Sequence, residues 1–210
     1  MCTAAYLNSR YDLYGITFSY GQHADQEIKI AKYFDKILKL KEHKIANIEF
    51  MKELYEKTNA LTNSNMKMPT RFNYSIVVPL RNAIFLSIAS AWAFAKNASF
   101  VAYGAHKGDI KYPDCRPLFT RLLEKALNEG EIDGIKLHLR KKITLWTPFI
   151  AGLSKSDLLR IGYKSLGEEI FKTWSCYLNS NIQCGKCESC NNRKAAFLQA
   201  KIEDKTKYKF

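Results

Sequence analysis

The stretch LYGITF at residues 13–18 begins the pattern that decides the fold. Its β-branched and aromatic residues predict a strand. The amphipathic segment 26–40 predicts a helix after it, and residues 43–48 predict a second strand. Strands that alternate with helices of this length pair in parallel. The chain is therefore predicted to be an α/β protein whose parallel sheet is covered on both faces.

Helix and strand signals continue to alternate along the chain. Further helices are predicted over 80–95, 117–128 and 154–161, further strands over 99–104 and 135–139, and loops over 58–73 and 104–114. Ser154, with Asp157 three residues later, has the pattern of a helix N-cap. No internal repeat or linker splits the sequence. We expect an α/β domain over residues 1–165 and a cysteine-rich segment over 166–210 that packs on it.

Composition limits the class of protein. The 210 residues are 47% hydrophobic and 25% charged, which suffices for one core. The longest apolar run, residues 83–95, is rich in alanine and serine, so we predict a buried helix and no membrane span. Lys and Arg outnumber Asp and Glu by 33 to 20, giving a net charge of +13, which favours anionic partners such as nucleotides or RNA. The basic residues are spread along the chain, which is more typical of a solvated surface than of a nucleic-acid site.

Four cysteines near the C-terminus predict a zinc site. They are Cys176, Cys184, Cys187 and Cys190, the last three within the run CGKCESC. Two thiolates separated by two residues can bind one ion, and Gly185 eases the turn between them. Free thiols, disulfides and a redox pair are the alternatives. Because residues 1–5 lack the features of a secretory leader, we expect a reducing cytoplasmic compartment, in which zinc is favoured over disulfides.

Polar residues follow the predicted strands, at the end of the sheet where α/β proteins bind ligands. Residues 19–23 follow the first strand, and residues 104–109 and 112–116 follow the third. Arg81 and Lys155 stand near predicted helix starts, where free backbone N–H groups favour anions. Together these features predict a ligand that contains phosphate.

The order of these motifs resembles the 7-cyano-7-deazaguanine synthases of the queuosine and archaeosine pathways. The resemblance covers nearly the whole chain and rests most firmly on the run YPDCR at 112–116 and on the cysteine cluster. It implies a Rossmann-like parallel sheet of the adenine nucleotide alpha-hydrolase type, a structural zinc ion and a homodimer. It also implies an ATP-dependent ligase that converts 7-carboxy-7-deazaguanine and ammonia into a nitrile through adenylated intermediates.

Chemistry and the resemblance together select the candidate site residues. Arg81 and Lys155 are candidates for contacting phosphate or adenylate, because their charge can offset that of departing pyrophosphate. For Asp109 and Asp114 three roles stay open: contacting the amino edge of the deazaguanine, holding Mg²⁺ or stabilising the loop. The full set of binding candidates for ATP and substrate is Tyr20, Gly21, Gln22, Arg81, Asn82, Gly104, Tyr112 and Arg116. Cys115 is not expected to act as a nucleophile, since the activation chemistry requires no thiolate.

The start of the chain departs from the family pattern. The family opens with a strand and a Ser-Gly-Gly-x-Asp-Ser loop, whose backbone N–H groups and hydroxyls hold the ATP phosphates. Neither occurs in this sequence, and residues 1–7 look like the helix that follows the loop. We expect the gene to begin upstream and these 210 residues alone to bind ATP weakly, and inactivity of the chain as given stays open as an alternative.

Two other functions stay open. One is a tRNA-thiolating enzyme of the same fold, for which the charge of +13 would be natural, although such enzymes usually need catalytic cysteines and only Cys115 is available. The other is an inactive relative that acts as a zinc module and binds RNA through its basic surface. That function leaves residues 112–116 without a role.

Overall fold

The computed structural model describes residues 1–55, 58–63 and 65–210. The strands are β1 (Tyr14–Ser19), β2 (Glu42–Asn47), β3 (Phe100–Ala102) and β4 (Thr144–Trp146). The α-helices are α1 (Cys2–Leu7), α2 (Gln26–Leu38), α3 (Met51–Tyr55), α4 (Arg81–Ala95), α5 (Pro117–Gly130), α6 (Ile132–Lys136), α7 (Lys155–Leu166) and α8 (Glu188–Ala200). The α/β class is confirmed.

The chain divides into two compact units. Unit 1 comprises Met1–Val78 and Ser156–Phe210, and unit 2 comprises Pro79–Lys155. The division predicted from the sequence, at residue 165, stays a prediction. Each unit contains one pair of parallel strands, which confirms the predicted strand direction.

In unit 1, β1 pairs with β2 from Tyr14 opposite Glu42 to Ser19 opposite Asn47. Helix α2 joins them, as parallel pairing requires. It ends at Leu38 because Lys39 adopts a left-handed conformation with φ of 53°, slightly before the predicted end at residue 40. Its inner face packs against α1 through a cluster that includes Ala5, Phe34 and Leu38. Helices α3 and α8 were not anticipated from the sequence.

In unit 2, β3 pairs with β4, and α4 and α5 pack against them. The core consists of Leu86, Ala93, Phe94, Val101, Ile143 and Leu145. The strand predicted over 135–139 is wrong, because that segment belongs to α6 and the turn after it. Leu137 and Leu139 are 68% and 62% exposed, whereas Ile143 and Leu145 are 0% and 2% exposed. The position of β4 is therefore determined by Ile143 and Leu145, which are buried in the core, and not by the alternating apolar residues at 135–139.

Within the described part of the chain, one stretch, Tyr74–Ala95, is long and apolar enough to cross a membrane by length and composition alone. The helix predicted over residues 83–95 lies within this stretch, and its length and burial distinguish a membrane span from a core helix. Leu80 has a φ of 52°, and the α-helix proper has 15 residues from Arg81 to Ala95. At 1.5 Å per residue α4 is about 22 Å long, short of the hydrocarbon thickness of about 30 Å. Because its residues Leu86, Ala93 and Phe94 lie in the core of unit 2, α4 is a core helix.

Candidate functional site

Four cysteine side chains converge in unit 1. The sulfurs of Cys176, Cys184, Cys187 and Cys190 lie within 4.8 Å of one another, and all four residues are buried. A tetrahedral zinc site with Zn–S bonds of about 2.3 Å requires sulfur–sulfur distances of about 3.8 Å. The sulfurs of Cys184 and Cys190 are 3.9 Å apart. Because all four sulfurs approach one another, the arrangement fits a single metal ion.

Backbone N–H groups point at two of these sulfurs. Cys176 Sγ accepts from the amides of Leu178 and Cys184 at 3.4 and 3.3 Å. Cys184 Sγ accepts from the amides of Lys186 and Cys187 at 3.4 and 3.3 Å. Such donors stabilise a negative charge on sulfur, and a thiolate is the form that binds metal. The loop geometry therefore prepares the cluster for an ion.

The turn at Gly185 and the start of α8 also favour metal binding by the four cysteines. Gly185 has a φ of +77°, and a Cβ at this position would overlap the backbone oxygen of Phe210. Cys187 is the N-cap of α8 and Cys190 lies in its first turn, where free N–H groups favour thiolates. Hydrogen bonds from Cys176 and Cys190 lower the pKa of Cys187. Because four sulfur ligands close the coordination shell, a metal held here would support structure and would not activate water.

In unit 2, Asp114 connects the loop after β3 to the start of α4. Its Oδ2 accepts from the backbone N–H of Asn82 at 3.0 Å, and its backbone oxygen accepts from the Tyr103 hydroxyl at 3.2 Å. A carboxylate at a helix N-terminus is electrostatically favourable. These two hydrogen bonds stabilise the loop, and the roles of Asp114 toward a substrate or Mg²⁺ stay predictions.

The next residue, Cys115, carries a buried thiol. The side-chain amide of Asn82 donates to its Sγ at 3.2 Å. Burial, together with the charges of Asp109 and Asp114, raises the pKa of Cys115 to about 12, while Arg81 and the hydrogen bond from Asn82 oppose the shift. The side chain is therefore protonated at neutral pH, which argues against a nucleophilic role.

His106 and Asp109 form a capping box at the start of the 3₁₀ turn Lys107–Lys111. The backbone N–H of Gly108 donates to His106 Nδ1 at 3.1 Å, and that of His106 donates to Asp109 Oδ2 at 2.9 Å. Burial lowers the pKa of His106; the Asp109 carboxylate opposes this effect, and the Lys155 ammonium adds to it. Unit 2 thus brings four predicted site residues around one loop: Arg81, Asn82, Asp109 and Asp114, with Lys155 close enough to act on His106.

The other predicted residues of this loop shape its backbone. Arg116 Nε donates to the carbonyl of Ile110 at 2.9 Å, and Arg116 is also the N-cap of α5. The backbone N–H of Tyr112 donates to the carbonyl of Asp109 at 2.9 Å. Gly104 is exposed just after β3. Their roles toward a ligand stay predictions.

A separate polar cavity of about 560 Å³ lies in unit 1, at the carboxyl ends of β1 and β2. Its lining residues are Ser19, Gly21, Gln22, His23, Asp25, Glu49, Phe50, Lys52, Glu53 and Asn179. Gln22 is held by the carbonyl of Phe18 at 3.1 Å and the amide of Tyr20 at 2.9 Å. Gly21 has a φ of +82°, and a Cβ there would lie 2.7 Å from Lys52 Cβ. The Tyr20 side chain is buried, so it packs inside the unit.

Several lining residues were missed from the sequence. Glu49, which accepts a hydrogen bond from the Ser19 hydroxyl at 2.7 Å, and Lys52 both follow β2. The prediction relied on the polar residues that follow the first and third predicted strands. The same rule, applied to the end of the second predicted strand, would have identified Glu49 and Lys52. The buried Nε2 of His23 has no hydrogen-bond partner among the described residues. Asn179 carries no comparable signal, because it reaches the cavity from the segment between Cys176 and Cys184.

Comparisons with known proteins identify the family. Residues 1–201 match the family model described as queuosine biosynthesis protein QueC. A 7-cyano-7-deazaguanine synthase of Sulfurihydrogenibium sp. is 37% identical over 193 residues, covering 90% of this chain and 84% of the relative. The synthase of Aquifex aeolicus is 36% identical and covers 88% and 84%. That of Oceanobacillus iheyensis is 35% identical and covers 99% and 91%. By sequence along nearly its whole length, this chain belongs to the family of queuosine biosynthesis protein QueC.

Proposed function

We propose that this chain catalyses the ATP-dependent conversion of 7-carboxy-7-deazaguanine and ammonia into 7-cyano-7-deazaguanine. The observation that carries the proposal is the contact between the Asp114 loop and the start of α4, where Arg81 and Asn82 lie. The chain that contains it is a member of the QueC family. The guanidinium of Arg81 suits a substrate that carries phosphate. The names of the relatives give the product.

In the proposed reaction, ATP adenylates the substrate carboxylate with release of pyrophosphate, and ammonia displaces AMP to give an amide. A second ATP then adenylates the amide oxygen, again releasing pyrophosphate, and loss of AMP and of the remaining N–H proton gives the nitrile. Arg81 and Lys155 would offset the charge that builds up on the departing phosphates. A protonated Cys115 fits this chemistry, which forms no bond to sulfur, and fits a thiolating enzyme less well.

Several finer features belong to the same proposal. The fold would be of the adenine nucleotide alpha-hydrolase type, and the four cysteines would hold one structural Zn²⁺. Mg²⁺ would accompany ATP, and Gly21 and Gln22 would contribute the cavity of unit 1 to ligand binding. A homodimer in the cytoplasm is the expected form of the protein, and sedimentation of the purified protein tests the dimer.

The test is turnover of the free base by the protein expressed from its own gene. The purified protein is incubated with 7-carboxy-7-deazaguanine, ammonium, ATP and Mg²⁺, and the nitrile is detected by mass spectrometry. Folded, zinc-loaded protein that forms no nitrile under these conditions would contradict the proposal. Salt-sensitive binding of tRNA without turnover would favour an RNA-directed function instead.

A variant pair tests the role of Arg81. We expect Arg81→Met to lower kcat about 10²-fold, the scale of losing one preorganised charge contact in a transition state. Arg121→Met is the matched control, because Arg121 is exposed on α5 and should leave kcat unchanged. Equal activities of the two variants would remove Arg81 from the proposed site.

A further inference from the structure

We propose that residues 204–210, here called the C-terminal strap, close the cysteine cluster and control the rate at which its metal exchanges. The inference rests on the metal site and not on the proposed reaction. Helix α8 ends where Lys201 adopts a left-handed conformation with φ of 58°. The chain then reverses, and the strap follows α8 back toward the cysteines at its start. A segment that returns to a metal site in this way can act as its cover.

Burial alternates along the strap. Residues 204, 206 and 208 are half-buried, whereas residues 205, 207 and 209 are exposed. A period of two is that of an extended segment with one face against the protein. The inward residues are Asp204, Thr206 and Tyr208, and the outward residues are all lysines. The strap is therefore docked through one face, while the lysines of the other face lie at the surface, where Lys205 pairs with Glu168.

The inward face meets the metal ligands directly at Tyr208. The Tyr208 side chain packs against the cluster of four cysteines. Tyr208 also forms a parallel β-bridge with Gln183, and the amide of Lys209 donates to the Gln183 carbonyl at 2.9 Å. Gln183 directly precedes Cys184. The bridge thus ties the strap to the backbone that presents a metal ligand.

A second set of contacts closes over the turn between Cys184 and Cys187. Lys194 Nζ donates to the carbonyl of Gly185 at 2.9 Å and to that of Phe210 at 3.4 Å. The ammonium of Lys186 lies 3.9 Å from the centroid of the Phe210 ring. Such cation–π contacts contribute about 0.5–1 kcal/mol at exposed sites. This end of the strap is therefore attached by weak, partly solvated contacts.

The other end of the strap is anchored more firmly. Arg193 donates to Thr206 Oγ1 from Nε at 3.2 Å and from one terminal nitrogen at 2.9 Å. Lys205 Nζ donates to the two carboxylate oxygens of Glu168 at 3.0 and 3.1 Å, and within the strap the hydroxyl of Tyr208 donates to Asp204 Oδ2 at 2.6 Å. A segment held firmly at one end and weakly at the other opens by local fraying, which requires far less free energy than global unfolding. We infer that metal leaves the buried sulfurs after this opening.

Tyr208→Ala tests the proposal. The variant removes the ring that covers the cluster and the bond to Asp204, while all four sulfurs stay in place. We expect it to bind one zinc per chain but to release it to excess 4-(2-pyridylazo)resorcinol about tenfold faster, since a buried aromatic contact and a hydrogen bond are lost. Lys207→Ala is the matched control, because Lys207 lies on the outward face of the same strap. Its release rate should stay within about twofold of the unaltered protein, as for other exposed positions.

Metal content is measured by native mass spectrometry, and unfolding is followed by circular dichroism at the temperature of the release assay. Equal release rates for Tyr208→Ala and Lys207→Ala would overturn the proposal, as would an acceleration no larger than the gain in unfolded population. If Tyr208→Ala does not fold, Thr206→Val takes its place, because it removes the acceptor of Arg193 at almost constant volume. Unaltered protein without bound zinc would overturn the metal site and the strap together, whereas nitrile formation would still test the proposed reaction separately.

Discussion

Arg193→Met is the sharpest test of how the C-terminal part of unit 1 is held together. The Arg193 side chain is 3% exposed. Besides its two bonds to Thr206, it donates to Thr173 Oγ1 at 2.7 Å, to Ser175 Oγ at 3.5 Å and to the carbonyl of Ile170 at 3.4 Å. One guanidinium thus joins α8, the strap and the segment that leads to Cys176.

The magnitude follows from these contacts. Four acceptors that bind a charged donor at about 1.5 kcal/mol each give about 6 kcal/mol. Burying the guanidinium offsets several kcal/mol of this gain. Met keeps the volume of the aliphatic stem, so we expect a net loss of about 3 kcal/mol in the free energy of unfolding. For a chain of this size that corresponds to a decrease in Tm of about 6–12 °C.

Arg193→Lys separates the geometry of the guanidinium from its charge. Lysine keeps the charge in the buried position but cannot donate in the forked arrangement, so we expect this variant to be at least as unstable as Arg193→Met. Urea and thermal unfolding measure both variants, and Arg121→Met, which should change the free energy of unfolding by less than about 0.5 kcal/mol, is the control. A loss below about 1 kcal/mol for Arg193→Met, or full stability of Arg193→Lys, would refute the reasoning.

The remaining predictions concern four single sites. Gly185→Ala should expel the strap and lower zinc content, because its Cβ would overlap Phe210 at positive φ; full zinc occupancy by mass spectrometry would contradict this. Cys115→Ser should keep kcat within a few-fold, because the thiol with a pKa of about 12 is not a nucleophile; loss of turnover with intact folding would reverse that conclusion. Asn128→Leu should cost about 2–4 kcal/mol in urea unfolding, since both the N–H and the carbonyl of Ile143 lose their partner, and an unchanged midpoint would exclude this role. Burial raises the pKa of Tyr103 to about 12, so the protonated hydroxyl contributes fully to the free energy of unfolding below pH 10, and this contribution is lost as the pH rises from 10 to 12. Tyr103→Phe should therefore lose less stability than the unaltered protein over this range. Parallel curves of stability against pH for the two proteins would contradict this.

Sequence periodicity located β1, α2 and β2 to within one or two residues, because each is bounded by a local signal. It failed at β4 for a non-local reason. Asn128 accepts from the Ile143 amide and donates to the Ile143 carbonyl, both at 2.9 Å, across 15 residues. This contact selects Ile143 and Leu145 for the core over the equally apolar Leu137 and Leu139. No pattern within the segment contains that information.

In the candidate site, too, local features were predictable from the sequence and non-local contacts were not. The spacing of the four cysteines was enough to predict that their sulfurs converge. A metal site of this kind depends on ligand type and turn geometry, which are local in the sequence. The polar loop after β3 was also predicted, from the rule that ligands bind at strand ends. The sequence could not show that Asp114 bonds to the start of α4 or that Asp109 completes a capping box. Those contacts depend on the fold of unit 2, which brings residues distant in sequence together.

The position of the cysteine cluster explains why a structural metal suits this part of the chain. Two of the four sulfurs lie at the start of α8, and Arg193 lies one turn further along the same helix. An ion that fixes the first turn of α8 would therefore also fix the guanidinium that holds the strap, and the strap would in turn cover the ion. Because each element depends on the others, removing the metal should loosen the segment from Ile170 to Phe210 as one cooperative block. A chelator should then lower the protection of the Lys209 amide against hydrogen exchange, while the Ile143 amide in unit 2, bonded to Asn128, keeps its protection.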